Sequence, residues 1–251
     1  MIAPEERAAR AFEERAARAE QIAATSPAAR EPLLFAAGLY REQARMARGV
    51  RDLESAIAEA RPLFEYAART GPSLLAADAR ALLASGGLPE RLQAYWSTGA
   101  FDYLARAALA PLLRVLRERG EPSKPGDRPG GPCGFCGGAP WVASLRGGGT
   151  SLEGAQRRAH CALCGGEWQV LRIACIACGE QDPDQLPGFS AEEHPGARLE
   201  TCATCHTYVK SIDLSLDARR IPEVDDLASL SLDLWAAEQG YDRVEPGLAG
   251  L

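Results

Sequence analysis

The sequence predicts an α+β protein, in which an N-terminal all-helical bundle precedes two tandem four-cysteine metal modules and a C-terminal helix. Three observations support this fold class. The first 120 residues are rich in Ala, Arg, Glu and Leu and contain no cysteine. All eight cysteines follow residue 132, in four C-x-x-C pairs. Apolar residues then recur at helical spacing after Asp226, which is typical of a final helix.

A stretch rich in Pro and Gly, from Gly120 to Pro132, separates the two regions. It has almost no apolar side chain to bury, and its successive prolines are incompatible with a helix. The predicted domains are the helical domain 1–120, the linker 121–132, the first metal module 133–174, the second metal module 175–221, and the C-terminal helix and tail 222–251.

The helical region is predicted to be a bundle of about five helices. Apolar residues recur every three or four positions from Leu33 to Met46 and from Phe101 to Leu116. The pair Ser26-Pro27 indicates a helix start, and Gly86 follows a predicted helix end. The region contains no histidine and no paired acid and base, so we expect a scaffold or docking surface rather than a catalytic site.

Composition excludes several classes of protein. The 251 residues include 28 Lys+Arg and 34 Asp+Glu, a formal charge of −6, and 46% are hydrophobic, which is typical of a globular chain. The sequence contains no uncharged apolar stretch of about 18 residues, the length needed to span a bilayer, so we expect no membrane insertion. The first twenty residues contain no apolar leader, and the sequence therefore predicts a cytoplasmic protein whose thiols stay reduced.

The cysteine pairs form an internal repeat. Between Cys136 and Cys161 lie 24 residues, and between Cys178 and Cys202 lie 23. The step from the first pair to the third is 42 residues, and that from the second to the fourth is 41. β-Branched and aromatic residues at 141–145 and 167–173 predict short strands between the pairs.

Two thiolates in one tight turn can share a metal ion, and a second such turn completes a tetrahedron of four sulfurs. Such a turn favours a residue of positive φ after its second cysteine, and Gly137, Gly165, Gly179 and His206 occupy these positions. The first predicted metal site is Cys133, Cys136, Cys161 and Cys164; the second is Cys175, Cys178, Cys202 and Cys205.

The cysteine pairs and the residues beside them have other interpretations. A thioredoxin-like C-x-x-C needs a helix N-terminus, whereas these pairs are flanked by Gly and strand-like segments. His160 and His206 adjoin cysteines and could replace a sulfur, although exposed turn residues are the simpler interpretation because four cysteines are available. We expect His194 to be solvated, and Trp168 and Tyr208 to shield metal sites rather than bind a ligand.

Charge disfavours a nucleic-acid-binding role for the cysteine region. Residues 121–251 carry 11 Lys+Arg against 19 Asp+Glu, a net charge of −8. Each four-thiolate site with a divalent metal adds about −2. A charge near −12 repels phosphate, whereas nucleic-acid binding requires a basic surface.

From Cys133 onward the sequence resembles the FdhE-type formate dehydrogenase accessory proteins. The stretches and residues that carry the resemblance are Cys133-Gly-Phe-Cys-Gly-Gly-Ala-Pro140, Cys161-Ala-Leu-Cys-Gly-Gly-Glu-Trp168, Arg172, Cys175-Ile-Ala-Cys-Gly179, Arg198-Leu-Glu-Thr-Cys-Ala-Thr-Cys-His-Thr-Tyr-Val-Lys210, Pro222-Glu-Val-Asp-Asp-Leu-Ala-Ser-Leu230, Leu232-Asp233 and Gly240-Tyr-Asp-Arg243. Before Cys133 the similarity is only loose.

The resemblance implies a cytoplasmic assembly factor that is not itself an enzyme. It implies two rubredoxin-like (zinc-ribbon-like) modules that hold iron or zinc. The implied partner is the catalytic subunit of formate dehydrogenase during its maturation. The alternative is a rubredoxin-like electron carrier or reductase that acts on the same enzyme, and a zinc-ribbon nucleic-acid binder ranks third.

Asp225 and Asp226 are predicted to open the C-terminal helix, which then runs to Gly240. Carboxylates at a helix start accept hydrogen bonds from free N–H groups and interact favourably with the helix dipole. A contact with the partner explains them about equally well, and both interpretations stay open at this point.

Overall fold

The protein is described here by a computed structural model that covers residues 2–121, 133–147 and 156–246. These residues group into two compact units. The first contains Met1–Gln21, Leu33–Gly138 and Leu163–Gly165, and the second contains Ile22–Pro32, Ala139–Ala162 and Gly166–Leu251. Most of the predicted linker lies outside the described residues, and the predicted domain limits stay a prediction.

The described N-terminal residues form seven helices where the sequence predicted about five. These are α1 (Pro4–Ala23), α2 (Arg30–Gly49), α3 (Leu53–Glu59), α4 (Arg61–Thr70), α5 (Ser73–Ser85), α6 (Leu88–Thr98) and α7 (Tyr103–Arg119). The prediction missed the capping box at Asp52, whose carboxylate accepts the Ser55 N–H and which starts α3. It also missed α6, which begins after Gly87. None of the described helices is long and apolar enough to cross a bilayer.

The core of the helical unit is built mainly from leucines, phenylalanines and alanines. Leu33, Phe64, Leu109 and Leu113 are fully buried, and α7 packs against α3 and α6. Gly86 and Gly99 adopt left-handed φ angles of 73° and 67°, which end α5 and α6. The sequence had placed the first of these ends correctly.

The second unit contains one mixed sheet rather than two separate ones. Its strands are β1 (Pro140–Arg146), β2 (Gln156–Cys161), β3 (Glu167–Gln169), β4 (Gly188–Ser190), β5 (Ala197–Cys202), β6 (Thr207–Asp213) and β7 (Asp242–Arg243). The order is β3-β2-β1-β6-β5-β4, and β7 pairs with β6. The sheet is therefore two antiparallel three-stranded meanders joined by the parallel pair β1 and β6.

This sheet preserves the repeat seen in the sequence. In each copy a C-x-x-C pair precedes two strands, and a second C-x-x-C pair leads into a third strand. The joining strands pair in the register Val142 with Lys210 and Ser144 with Ile212. Both predicted strand segments are present, although β3 is only three residues long.

The C-terminal helix is broken into three pieces. A short helix α8 (Pro222–Asp225) leads into a 3₁₀ turn (Asp226–Ser229) and then into α9 (Leu230–Glu238). Leu232 and Ala236 of α9 pack into a core with Leu199, Tyr208 and Trp141. One face of the sheet is thus covered by the chain that follows the last cysteine pair.

Two candidate metal centres

The eight cysteines form two clusters, grouped as the spacing predicted. In each cluster the four Sγ atoms lie within 4.8 Å of one another, and either group could hold a metal ion. The first cluster is Cys133, Cys136, Cys161 and Cys164, and the second is Cys175, Cys178, Cys202 and Cys205. That these residues ligate a metal stays a proposal.

The distances between sulfurs fit a tetrahedral ion. A metal at about 2.3 Å from each of four sulfurs requires neighbouring sulfurs to be about 3.8 Å apart. The Sγ of Cys133 lies 3.7 Å from the Sγ atoms of both Cys136 and Cys164. In the second cluster, Cys175 and Cys205 are 3.6 Å apart. Four sulfurs so spaced suit zinc or iron, both of which accept a tetrahedral thiolate set.

Each C-x-x-C pair and the residue after it form a tight turn, called a knuckle below, as the sequence predicted. The N–H of Gly137 donates to the carbonyl of Cys133 at 2.8 Å, and that of Gly179 donates to Cys175 at 3.1 Å. In each of the four pairs, the residue that follows the second cysteine has a positive φ: Gly137 at 72°, Gly165 at 64°, Gly179 at 81° and His206 at 55°. His206 adopts the left-handed conformation at a cost that glycine avoids.

In the second cluster, the thiol of Cys205 has a lowered pKa. Burial raises the pKa of Cys205, but hydrogen bonds with the Thr207 hydroxyl and with Cys178 outweigh it and lower the pKa to about 7. The Oγ1 of Thr207 lies 3.0 Å from this sulfur. Because the thiolate is the form that binds metal, Cys205 is a good first ligand near neutral pH.

The two clusters differ in their exposure to solvent. Every cysteine of the first is buried, and none is more than 4% exposed. In the second, Cys178 is exposed, Cys175 and Cys205 are partly exposed, and only Cys202 is buried. Solvent and other molecules can therefore reach the second cluster but not the first.

The first cluster also has cationic neighbours. Arg114 and Arg117 each donate from Nη1 to the carbonyl of Gly165 at 3.4 Å, directly after Cys164. Arg15 lies close by, since a Cβ placed on Gly165 would be 3.0 Å from its Nη2. A four-thiolate site with a divalent ion has a net charge of about −2, which these guanidinium groups stabilise.

The histidines lie outside both sulfur clusters. His160 is buried, contrary to the expected exposed turn: its Nε2 lies 2.8 Å from the Ser144 Oγ and its Nδ1 lies 3.5 Å from Glu223. His206 occupies the left-handed turn position. The Nε2 of His194 lies 2.6 Å from the Ser231 hydroxyl. Among the described residues, the groups able to hold a metal consist of cysteines alone.

A buried ionic cluster beside the second module was missed by sequence reasoning. The Lys210 Nζ pairs with Asp226 at 3.1 Å and with Asp233 at 2.5 Å. Arg243 pairs with the same two carboxylates at 2.8 and 3.0 Å. Tyr208 donates its hydroxyl to Asp233 at 2.8 Å. The two positive charges balance the two negative ones, which makes burial of all four tolerable.

The buried ionic cluster changes the interpretation of Asp225 and Asp226. The prediction that Asp225 and Asp226 open the helix is wrong, because α8 begins at Pro222 and ends at Asp225. The Asp225 carboxylate nevertheless accepts the N–H of Ile221, the residue before the helix, at 2.8 Å. Asp226 is instead buried: burial raises its pKa, but the charges of Arg243 and Lys210 outweigh this and hold the pKa below its ordinary value. Tyr208 lies in this cluster, so its role as a shield for the metal is not observed. The alternation of polar and apolar residues in β6 gave no signal for a buried lysine.

Comparison with known proteins confirms the resemblance to FdhE. Residues 173–249 match the family described as FdhE, C-terminal domain. A "Protein FdhE homolog" from Aquifex aeolicus is 38% identical over 118 residues, which cover 47% of this chain and 41% of the relative. A second, from Pseudomonas aeruginosa, is 37% identical over 123 residues, 46% of this chain and 38% of the relative. The matched stretches thus span about two fifths of the length of these relatives.

The similarity in structure extends further along the chain. The crystal structure of the FdhE protein from Pseudomonas aeruginosa superposes with a TM-score of 0.64 and 25% sequence identity. The superposition covers 99% of this chain and 96% of that one. The helical region and the two-cluster region therefore both have counterparts in a solved FdhE structure.

Proposed function

We propose that this chain is an accessory factor for the maturation of formate dehydrogenase, and that it binds the catalytic subunit of that enzyme in the cytoplasm. The observation that carries the proposal is the pair of four-sulfur clusters in a region similar to FdhE proteins. The helical region contains no histidine and no paired acid and base, and we therefore propose a binding role rather than catalysis.

The eight cysteines would hold two metal ions, iron or zinc, in this role. A bound ion would fix the two knuckles of each cluster against each other, because one metal crosslinks two turns that are distant in sequence. Backbone hydrogen bonds hold the shape of each knuckle; for example, the Cys175 N–H donates to the Glu180 carbonyl at 2.7 Å. The metal would therefore maintain the surface that the partner contacts.

Copurification tests the partner directly. The tagged full chain, expressed in a bacterium that produces formate dehydrogenase and lacks its own FdhE, should capture the catalytic subunit and restore formate-dependent dye reduction. Cys178→Ser should lose both effects, because it leaves three thiolates at the second cluster. Ala177→Ser is the matched control, since it adds a hydroxyl in the same exposed knuckle and keeps all four thiolates. Equal capture by both variants, or no capture by the unaltered chain, would contradict the proposal.

The exposure of the second cluster favours one other function. An iron ion held partly at the surface by Cys175, Cys178 and Cys205 could exchange electrons with a partner, whereas zinc has no accessible second oxidation state. The alternative is therefore a rubredoxin-like electron carrier or reductase that acts on the same enzyme.

Metal analysis distinguishes the two functions. Protein purified without oxygen is assayed for iron and zinc, and its visible spectrum is recorded before and after dithionite. Two zinc ions and a colourless solution would exclude electron transfer and leave the assembly role. Iron whose colour is bleached by dithionite and regained in air would favour the electron carrier. Binding of DNA or RNA at low salt, which the acidic charge disfavours, would revive the third possibility.

A further inference from the structure

A cavity of about 450 Å³ lies against the sheet, beside the second cysteine cluster. Its lining comes mainly from β5, β6 and the chain segments 172–176 and 183–188, with Arg157 of β2, and includes Cys175. Sites for small organic molecules have volumes of about 300–1,000 Å³ and combine apolar walls with a few polar groups. The cavity therefore has the size of a small-molecule site.

The charges on the cavity wall are mostly positive, although this half of the chain is acidic. The charged side chains among its described lining residues are Arg157, Arg172, Arg198 and Glu200. The two oxygens of Glu200 are occupied: Oε2 accepts from Arg157 at 2.8 Å, and Oε1 accepts from Arg198 at 2.7 Å. One carboxylate among three guanidinium groups leaves an excess of two positive charges. This excess offsets the charge of about −2 that a divalent ion would leave on the adjacent second cysteine cluster.

One of these arginines is available to a ligand. Arg172 is exposed, and among the described residues it has no hydrogen-bond or ion-pair partner. Arg157, by contrast, is buried and holds the wall in place, because its Nη1 donates to the carbonyls of Leu171 and Ala174 at 2.9 Å. Arg157 thus fixes the wall, whereas the charge of Arg172 has no partner within the described part of the chain.

The remaining wall is largely apolar. Ile173, Ile176, Leu186 and Val209 line it together with prolines, and Ile173 is 54% exposed. Covering the exposed isoleucine with the apolar surface of a ligand is favourable, because it removes apolar area from water. A ligand with an apolar part and one anionic group could cover Ile173 and form an ion pair with Arg172.

We propose that this cavity binds a small organic anion, with its apolar part against Ile173 and Val209 and its carboxylate, sulfonate or phosphate on Arg172. This function is separate from the proposed docking of the catalytic subunit. Because Cys175 belongs to the same wall, the ligand would lie next to the exposed metal centre.

The test uses the metal-loaded full chain and a pair of fluorescent probes. Anilinonaphthalene sulfonate carries one sulfonate on an apolar ring system, and N-phenyl-1-naphthylamine has the same rings without the charge. The sulfonate should saturate one site per chain and bind at least ten times more tightly than the neutral probe. In two-dimensional NMR spectra it should shift the amide signals of Gly188, Thr201 and Val209.

Arg172→Glu should weaken binding of the sulfonate at least tenfold and leave binding of the neutral probe unchanged. The matched control is Arg69→Glu, since Arg69 is also exposed and without a partner among the described residues. It should change the sulfonate affinity by less than twofold. The proposal is wrong if Arg172→Glu binds the sulfonate as the unaltered chain does, if both probes lose affinity equally, or if the shifted amides lie elsewhere.

Discussion

Lys210 and Asp233 form an ion pair whose side chains are both entirely buried, with Nζ 2.5 Å from Oδ2. Lys210 lies on β6, five residues after the last cysteine, and Asp233 lies on α9. The pair therefore connects the helix that covers the sheet to the strand that follows the second cysteine cluster. Arg243 of β7 reaches Asp233 as well, at 3.0 Å.

Removal of the lysine charge should strongly destabilise this unit. Lys210→Met leaves one positive charge to balance two buried carboxylates, and breaking a buried pair costs about 3–5 kcal/mol. Urea unfolding followed by tryptophan fluorescence measures the change. Arg219→Met, which removes an exposed pair with Asp217, should cost less than about 1 kcal/mol. The double variant Lys210→Met with Asp233→Leu should cost less than the two single changes added together; strict additivity would exclude coupling between the residues.

Tyr208 should make stability depend on alkaline pH. Burial, followed by the negative charge of Asp233, raises the pKa of Tyr208 well above its ordinary value. Above about pH 10 the unfolded chain loses this proton while the folded chain keeps it, so the free energy of unfolding falls by up to about 1.4 kcal/mol per pH unit. Tyr208→Phe should be less stable at pH 8, since it loses the hydrogen bond to Asp233, and should lose stability more slowly above pH 10. Parallel curves for both proteins between pH 9 and 11 would contradict this.

The left-handed turn of the third knuckle should control metal affinity. Gly179 has a φ of 81°, and a Cβ there would meet no atom within 4 Å, so the cost of Gly179→Ala is purely conformational, roughly 1–2 kcal/mol. We expect the second centre to bind metal about tenfold more weakly, as measured by competition with a chelator of known affinity. Gly134→Ala is the matched control: it lies in the first knuckle, has equal space and lacks a positive φ. A similar loss in both variants would disprove the role of φ.

The two centres should lose metal in a fixed order. Cys178 is exposed, whereas all four sulfurs of the first cluster are buried and have arginines nearby. A chelator should therefore remove one metal roughly tenfold or more faster than the other, because the shell around a site controls access to it. Absorbance of pyridylazoresorcinol follows the release. Cys178→Ser should abolish the fast phase and Cys136→Ser the slow one; the reverse assignment would refute the order.

Local sequence patterns were sufficient to predict the cysteine clusters. A C-x-x-C pair defines its own turn, and the glycine that follows supplies the positive φ that the turn requires, as at Gly137 and Gly179. The pairing of knuckles followed from an internal step of about 41 residues. Both features are encoded within a few residues or by simple repetition. Long-range packing was not needed to predict them.

The helix boundaries were harder to predict, because the competing signals are short and weak. Alanine and arginine favour helix through the whole N-terminal region, so the breaks depend on single residues such as Asp52 and Gly87. The final helix was predicted as continuous, but the chain forms a 3₁₀ turn that begins at Asp226. The carboxylate of Asp226 pairs there with Lys210. Tertiary contacts outweighed the local propensity there.

By itself, the sequence determined the helical and cysteine-rich regions, the eight cysteines and their grouping, because these depend on periodicity, spacing and turn chemistry. Tertiary structure alone decided that the two modules share one sheet through the parallel pairing of β1 and β6. It also decided that Lys210 is buried between Asp226 and Asp233, and that Arg172 faces a cavity beside Cys175. These relationships join residues distant in the chain, and burial and charge pairing acquire their energies only after the chain has folded.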